Sequence, residues 1–298
     1  MAHDHHHHHS HMDETNEKNI RVAFFLNFGF ALIEIVGGYF TNSIAIMADA
    51  LHDLGDSITL AISWRLEKLA QKEGDRKFSY GYKRFSLLSA LIGAIILLAG
   101  IVFVLFESIN RILEPQTSNA RGMLGLAVLG IAANGIAALR AGKGKNLNSR
   151  MIYWHLMEDA MGWAAVLFVS IVLLFWDIKI LDPILSIMVS AFILFNVVKN
   201  LKQTIKLFLQ GVPAEIDSAK IEEIILSDEK VIDVHHVHIW SLDGEHHVLT
   251  MHIVLRLETK KEDIRRIKQR VKNVSEQFDL SHTTIEFEYQ ESDCSMSK

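Results

Sequence analysis

The sequence predicts a membrane protein in two parts: a bundle of six transmembrane helices, then a small cytoplasmic α+β domain of order αββαβ. Three observations lead there. Half of the 298 residues are hydrophobic and the mean hydropathy is +0.20, with the apolar residues gathered in long runs. Six of those runs approach the ~20 residues that a helix needs to cross a bilayer, at 20–41, 43–65, 83–110, 121–141, 150–176 and 182–205. Beyond Pro213 no such run remains, and the period changes to that of short strands and amphipathic helices.

The first part is delimited by its prolines and its charges. Pro115 falls between the third and fourth runs, Pro183 in the first turn of the sixth, and Pro213 where the apolar part ends, so none breaks a helix interior. Basic residues concentrate on one side. Lys18 and Arg21 precede the first run, and Arg65 through Arg84 supply seven Lys and Arg after the second. Arg140, Lys143, Lys145 and Arg150 follow the fourth, and Lys199, Lys202 and Lys206 flank the sixth, whereas the opposite side has only Arg111, Arg121 and Lys179. Cytoplasmic loops retain the Lys/Arg excess, so an even number of spans puts both termini in the cytoplasm. The N-terminus is polar and its first apolar run is long enough to span, so no cleavable signal peptide is read. The expected division is a His-rich tail at 1–19, a membrane domain at 20–208, a cytoplasmic domain at 209–290 and a C-terminal tail at 291–298.

In the second part, 217–227 reads as a short helix capped by Asp217, and 231–242 and 245–257 as strands around an Asp243-Gly244 hairpin turn. Residues 261–278 read as a second helix and 283–289 as a third strand. A domain of roughly 85 residues makes a modest core, which favours a homodimer.

Composition excludes several classes. With 30 Lys and Arg against 35 Asp and Glu the formal charge is −5, the wrong sign for a nucleic-acid binder. The single cysteine, Cys294, excludes an internal disulfide and a Cys-rich metal site, and a thiol nucleophile so near a terminus is not expected.

An ionisable side chain at the centre of a spanning helix costs ~2.5–3.5 kcal/mol, so each such residue needs a partner or a function. The second run contains His52 and Asp56 and the fifth His155 and Asp159, both as His-x-x-x-Asp. The i,i+4 spacing puts imidazole and carboxylate on one helix face. Antiparallel packing of the two helices levels His52 with Asp159 and Asp56 with His155, giving two nitrogens and two oxygens around one point. That donor set suits tetrahedral Zn²⁺, with related divalent ions as alternatives, while hydrogen bonding between helices without a metal is the plainer reading. Asp49, one turn from His52, either lines the outer pathway or instead holds a neighbouring helix or solvates the entrance, and Glu34 is open as a proton or ion relay. Asp53 and Glu158, each next to a ligand in sequence, point about 100° away, and Asn27 reads as a packing residue.

At these residues the chain resembles the cation diffusion facilitator family, secondary transporters that export Zn²⁺ and similar ions. The segment Ser43–Asp56 is similar to the family's second-helix signature and His155–Asp159 to its fifth-helix partner. Gly211-Val-Pro213, Val237–Leu242 and His282–Glu286 extend the likeness across nearly the whole chain. The resemblance implies that His52, Asp56, His155 and Asp159 form a zinc-type transport site coupled to protons. It also implies a homodimer in a bacterial inner membrane, with cytoplasmic domains of metallochaperone, ferredoxin-like fold. One departure is clear. Some members place a histidine metal site in the loop after the second helix, whereas Glu67–Tyr82 has no histidine and Asp75 alone does not make that site.

If Asp243 and Gly244 are the two turn residues, His235 faces His252, Trp240 faces His247 and Ser241 faces His246. His235 and His252 could then share a metal with Glu286 or Glu288 of the third strand, which the resemblance implies would be regulatory; a solvated polar sheet face is the alternative. His236, His238 and His282 are weaker candidates. The tract His3–His11 can bind metal, and reads equally as an expression tag or as a His-rich tail like those of the family. Two rivals from other classes stand beside the transporter: a membrane metal sensor without transport, and an intramembrane metalloenzyme, for which no His-Glu-x-x-His motif is present.

Overall fold

The computed structural model describes residues 14–142, 147–289 and Cys294. The His3–His11 tract lies outside them, as does the expected C-terminal tail apart from Cys294. Each apolar run forms a helix: α1 (Glu14–Thr41), α2 (Ile44–Ala70), α3 (Arg84–Leu113), α4 (Ala120–Ala141), α5 (Leu147–Phe175) and α6 (Leu181–Phe208). Among the described residues four, Arg84–Leu113, Ala120–Arg140, Tyr153–Phe175 and Leu181–Phe208, are long and apolar enough to cross a membrane. α2 is more polar than these because it carries Asp49, Asp53 and Asp56.

The chain divides into two compact units: residues up to Trp64 with Ile92–Lys199, and Arg65–Leu91 with the chain from Asn200 onward. In the first unit α4 packs against α5 and α1 against α4. Trp163 of α5 is buried and meets Phe30 of α1 edge-on, with ring centroids 6.1 Å apart. Its indole lies so close over Gly130 of α4 that a Cβ there would sit 2.2 Å from the ring. Only glycine leaves room for that approach.

The start of α2 is tied to the start of α6 by one carboxylate. Asp182 is fully buried, and its oxygens accept hydrogen bonds from the Ile44 N–H (2.7 Å), the Ser43 hydroxyl (2.5 Å) and the Ala45 N–H (3.4 Å). These are the orphan donors of a helix N-terminus, where a negative charge also meets the favourable end of the helix dipole. Asn27 of α1 holds the next turns of α2, its Nδ2 donating to the Asp53 carbonyl and to Ser57 Oγ, both at 3.1 Å.

The second unit contains α7 (Ser218–Leu226), β1 (Val231–Ser241), β2 (His247–Leu255), α8 (Lys261–Gln277) and β3 (Leu280–Glu288). The order is the αββαβ expected. Asp217 caps α7 by accepting from the Ala219 N–H at 3.1 Å. β2 is central, antiparallel to β1 and parallel to β3. Its residues Leu249, Met251, Ile253 and Leu255 join Ile221, Ile225 and Ile267 of the helices in the core. By alternation, His252 lies on the opposite face of the sheet.

The hairpin corrects the expected register. The turn is not the two residues Asp243-Gly244: the strands stop at Ser241 and His247, and Leu242 N–H donates to the His246 carbonyl at 2.8 Å. Asp243 organises this longer loop by accepting from the Glu245 and His246 N–H groups, and Gly244 takes φ +104°. Trp240 therefore pairs with Val248, and Ser241 with His247. A bulge between His235 and His238 absorbs the extra residue, so His235 does pair with His252. The same bulge lets Val234 and Ile239, five residues apart, both point into the core.

The loop between α2 and α3 is knotted by Asp75. Oδ1 accepts from the Lys77 and Phe78 N–H groups and Oδ2 from the Tyr82 hydroxyl, at 2.7–2.8 Å. These bonds, from the Phe78 N–H foremost, hold its carboxyl below the usual carboxylate range. Tyr80 of this loop meets Trp240 and His282 edge-on, with ring centroids 6.2 and 5.4 Å away.

Two measurements test this packing. Asp182→Ala strands the Ile44 N–H and the Ser43 hydroxyl in a dry site, and is expected to cost about 2–3 kcal/mol, read as a lower thermal midpoint of the detergent-solubilised protein. Asp228 is buried and receives a two-pronged Arg266 guanidinium, with both bonds at 3.1 Å. These Arg266 hydrogen bonds pull its carboxyl below the normal range, so the stabilisation is complete above an unfolded pKa of ~3.9 and is lost as pH falls through the lower folded value. Asp228→Asn is thus expected to be less stable by about 1–2 kcal/mol at pH 7, Arg266 being half exposed. The gap between the two proteins closes below roughly pH 4.

Candidate metal centres

Two groups of ligand-type side chains gather in the molecule, one in each unit. In the first unit the i,i+4 pairs of α2 and α5 face each other. Asp56 Oδ2 lies 3.8 Å from His52 Nε2 and 3.8 Å from His155 Nε2, and Asp159 Oδ2 lies 3.8 Å from His155 Nε2. The two imidazole rings stand 6.5 Å apart and steeply inclined. All four residues named from the sequence are therefore neighbours. His155 is the most open, with 44% of its side chain exposed, whereas Asp159 is 11% exposed.

The surroundings differ from expectation at Asp53. A pure 100° rotation aims it away, yet ligand atoms of His52, Asp53 and Asp159 all lie within 4.8 Å of one another. Asp53 is buried and Glu158 exposed, so only one of the two acids flanking the ligands is drawn inward. Glu34 of α1 is 1% exposed, and neither of its oxygens meets a hydrogen-bond donor among the described residues. Its electrostatic neighbours are Asp53, Asp49, Asp159 and the Trp163 indole. Asp49 lies beside Gly162 of α5, where a Cβ would still stand 4.0 Å from Asp49 Oδ1. The buried Nδ1 of His52 is likewise without a hydrogen bond among the described residues. A site of two imidazoles and several carboxylates in an apolar bundle can hold a divalent cation or the protons that replace it.

The second group lies on the sheet face away from the helices. His235 and His252 are cross-strand partners with ring centroids 5.5 Å apart. Glu288 sits between them, its Oε1 2.6 Å from His252 Nδ1 and its Oε2 3.2 Å from His235 Nε2. The two acids considered from the sequence separate here, because Glu288 is 2% exposed and enclosed, while Glu286 is 55% exposed and 3.5 Å from the other nitrogen of His252. His236 has φ +50° in the bulge, which turns its ring to within 5.1 Å of His252; strict alternation would have sent it to the opposite face. His282 faces Tyr80, while the His238 ring lies 6.2 Å from that of His236.

One participant was not expected. Cys294 lies with its Sγ 3.8 Å from His252 Nδ1, and ligand atoms of His235, His252, Glu288 and Cys294 all fall within 4.8 Å of one another. Sequence arithmetic discarded a lone cysteine because it saw no second thiol. The usable signal was a single thiol a few residues beyond a strand that already bears carboxylates.

Comparison with known proteins accounts for both parts of the chain. The family model for the cation efflux transmembrane domain matches residues 20–209, and that for the cation efflux protein cytoplasmic domain matches residues 213–290. The cadmium, cobalt and zinc/H(+)-K(+) antiporter of Bacillus velezensis is 30% identical over 97% of this chain and 92% of its own length. The metal cation efflux system protein CzcD of Cupriavidus metallidurans is 31% identical over 96% of this chain and 89% of its own. The zinc transporter ZitB of Pectobacterium atrosepticum is 31% identical over 98% and 91%.

Proposed function

The chain belongs to the cation efflux family, a membrane family of metal transporters rather than enzymes, and from that premise we propose that it exports Zn²⁺ from the cytoplasm in exchange for protons. Cd²⁺, Co²⁺ and Fe²⁺ fit the same donors. The observation that carries the reading is the meeting of two His-x-x-x-Asp pairs, His52 with Asp56 and His155 with Asp159, at 3.8 Å across α2 and α5. Two imidazole nitrogens and two carboxylate oxygens form the tetrahedral donor set that Zn²⁺ prefers. The names of the relatives, which include cadmium, cobalt, zinc and H⁺, support both the cargo and the counter-ion.

In this reading all six long helices cross the membrane, at 20–208, with both termini and the 209–290 domain in the cytoplasm of an inner, cell membrane. A second copy of the chain completes a homodimer. His52 and His155 carry the exchanged protons, because an imidazole nitrogen that gives up a metal ion can take a proton in its place. The electrical cost argues for exchange. Moving a divalent ion out against 100 mV, inside negative, costs ~4.6 kcal/mol, and each inward proton returns ~2.3 kcal/mol. Asp49 and Glu34 line the route on the α1 side of the quartet, supported by their place beside Asp53 and Asp159. His235, His252, Glu286 and Glu288 form a regulatory metal site on the cytoplasmic domain, supported by the cross-strand pairing and by the enclosed Glu288. Rocking of one group of helices against another, exposing the quartet to each side in turn, is the motion the scheme requires.

The test is Zn²⁺ flux in proteoliposomes holding the full-length protein and an internal pH reporter. Zinc movement with opposite proton movement is expected, falling by about tenfold or more in both Asp159→Ala and His52→Ala, as for loss of a metal ligand. Wild-type rates in those variants would remove the quartet from transport. Metal binding without flux would turn the reading to a metal sensor.

A further inference from the structure

We infer that Cys294 supplies a thiolate ligand to the cytoplasmic site, making it a closed four-donor centre of His235, His252, Glu288 and Cys294 rather than a His–Glu site open to solvent. This rests on the reading of that domain as metal-binding, and deepens it by naming the ligands and the class of metal they take.

The argument starts from protons. Asp233 Oδ2 lies 3.1 Å from His235 Nδ1, and a carboxylate can only accept, so Nδ1 carries the hydrogen. In the neutral ring Nε2 is then a lone pair. It faces Glu288 Oε2 at 3.2 Å, and both atoms are buried without a hydrogen bond among the described residues. Two lone pairs held against each other in a closed site repel unless a cation lies between them. His252 differs. Its Nδ1 lies 2.6 Å from Glu288 Oε1, so by the same rule it donates there, and a metal would replace that proton. Cys294 Sγ stands 3.8 Å from the same nitrogen, and Nε2 is 3.5 Å from Glu286 near solvent.

The inward atoms are thus His235 Nε2, His252 Nδ1, the Glu288 carboxylate and Cys294 Sγ. Bond lengths of ~2.0–2.1 Å to nitrogen and ~2.3 Å to sulfur give tetrahedral edges of about 3.3–3.6 Å. The 3.2 and 3.8 Å edges fall on either side of that range, and the 2.6 Å edge from Glu288 Oε1 to His252 Nδ1 is a hydrogen-bond length that a metal would open. Asp233 and Glu286 fall outside the centre. Asp233 takes the far N–H of His235, and that carboxylate–histidine pairing fixes the ring nitrogen offered to a metal. Glu286, more than half exposed, lies on the solvent side of His252. A thiolate beside two imidazoles selects soft and borderline ions such as Cd²⁺ and Zn²⁺ over Mg²⁺ and Mn²⁺.

Cys294 is the only cysteine of the chain, so a sulfur-to-metal charge-transfer band reports this residue alone, whatever binds in the membrane or at the His tract. The full-length protein in detergent is titrated with Co²⁺ or Cd²⁺, with ultraviolet absorption and bound metal per chain recorded. A band that saturates with one ion per chain, and survives excess Mg²⁺, is expected. Cys294→Ser should abolish it and weaken binding at this site about tenfold or more. His252→Ala and Glu288→Gln should abolish it with Cys294 still present, circular dichroism confirming an intact fold. Absence of a band in the wild type, while His252→Ala still lowers bound metal by one ion, would overturn the role of Cys294 and leave the His–Glu site standing. A band that persists in both His252→Ala and Glu288→Gln would place the thiolate elsewhere and overturn the inference. Unchanged bound metal in every variant, with no band, would overturn the cytoplasmic metal site itself.

Discussion

A carboxylate withdrawn from water needs a donor, a cation or a proton of its own, and three sets of acids in this molecule meet that demand in different ways. Asp182 is answered by a helix end: the first N–H groups of α2 and the Ser43 hydroxyl converge on it, so the charge joins α6 to α2. Asp228 is answered by a guanidinium, which joins α8 to the α7–β1 connection. Asp56, Asp159 and Glu288 face imidazoles among the described residues, and an imidazole can offer a proton or a lone pair but not both from one nitrogen. The first two solutions are closed and structural. The third can take an added cation, and both candidate metal centres are built from it.

The two centres use different scaffolds for the same chemistry. In the helical unit, a spacing of four residues on each of two helices makes a face, and helix packing brings the faces together. Close approach at a small residue serves the packing of α4 on α5, where Gly130 admits Trp163. In the sheet unit, cross-strand pairing sets His235 against His252, and the parallel strand β3 brings Glu288 alongside. Antiparallel pairing supplies the histidines and the crossover supplies the acids.

Irregular backbone refines both units more than regular backbone would suggest. The bulge at His236 shifts register within β1, keeps Val234 and Ile239 in the core and places a second imidazole near His252. Asp75 uses its oxygens to knot the loop after α2, which gives that acid a structural task.

Much of this was legible in the chain itself. Helix positions follow from apolar run length, the order αββαβ from a change of period, and the quartet from two His-x-x-x-Asp spacings, because all three are local: a helix face or a strand alternation is set within a few residues. The cross-strand partner of His235 was also legible, though by two compensating errors, since the hairpin loop is longer than two residues and the bulge restores the count. What lay beyond the sequence is decided by groups far apart in it. Whether Asp53 or Glu158 turns inward depends on the helix packed against each. Glu288 rather than Glu286 is enclosed because its neighbours in the sheet cover one and not the other. Cys294, 42 residues from His252, reaches its site only once three strands have been laid side by side, and no spacing rule spans a contact that tertiary structure alone creates.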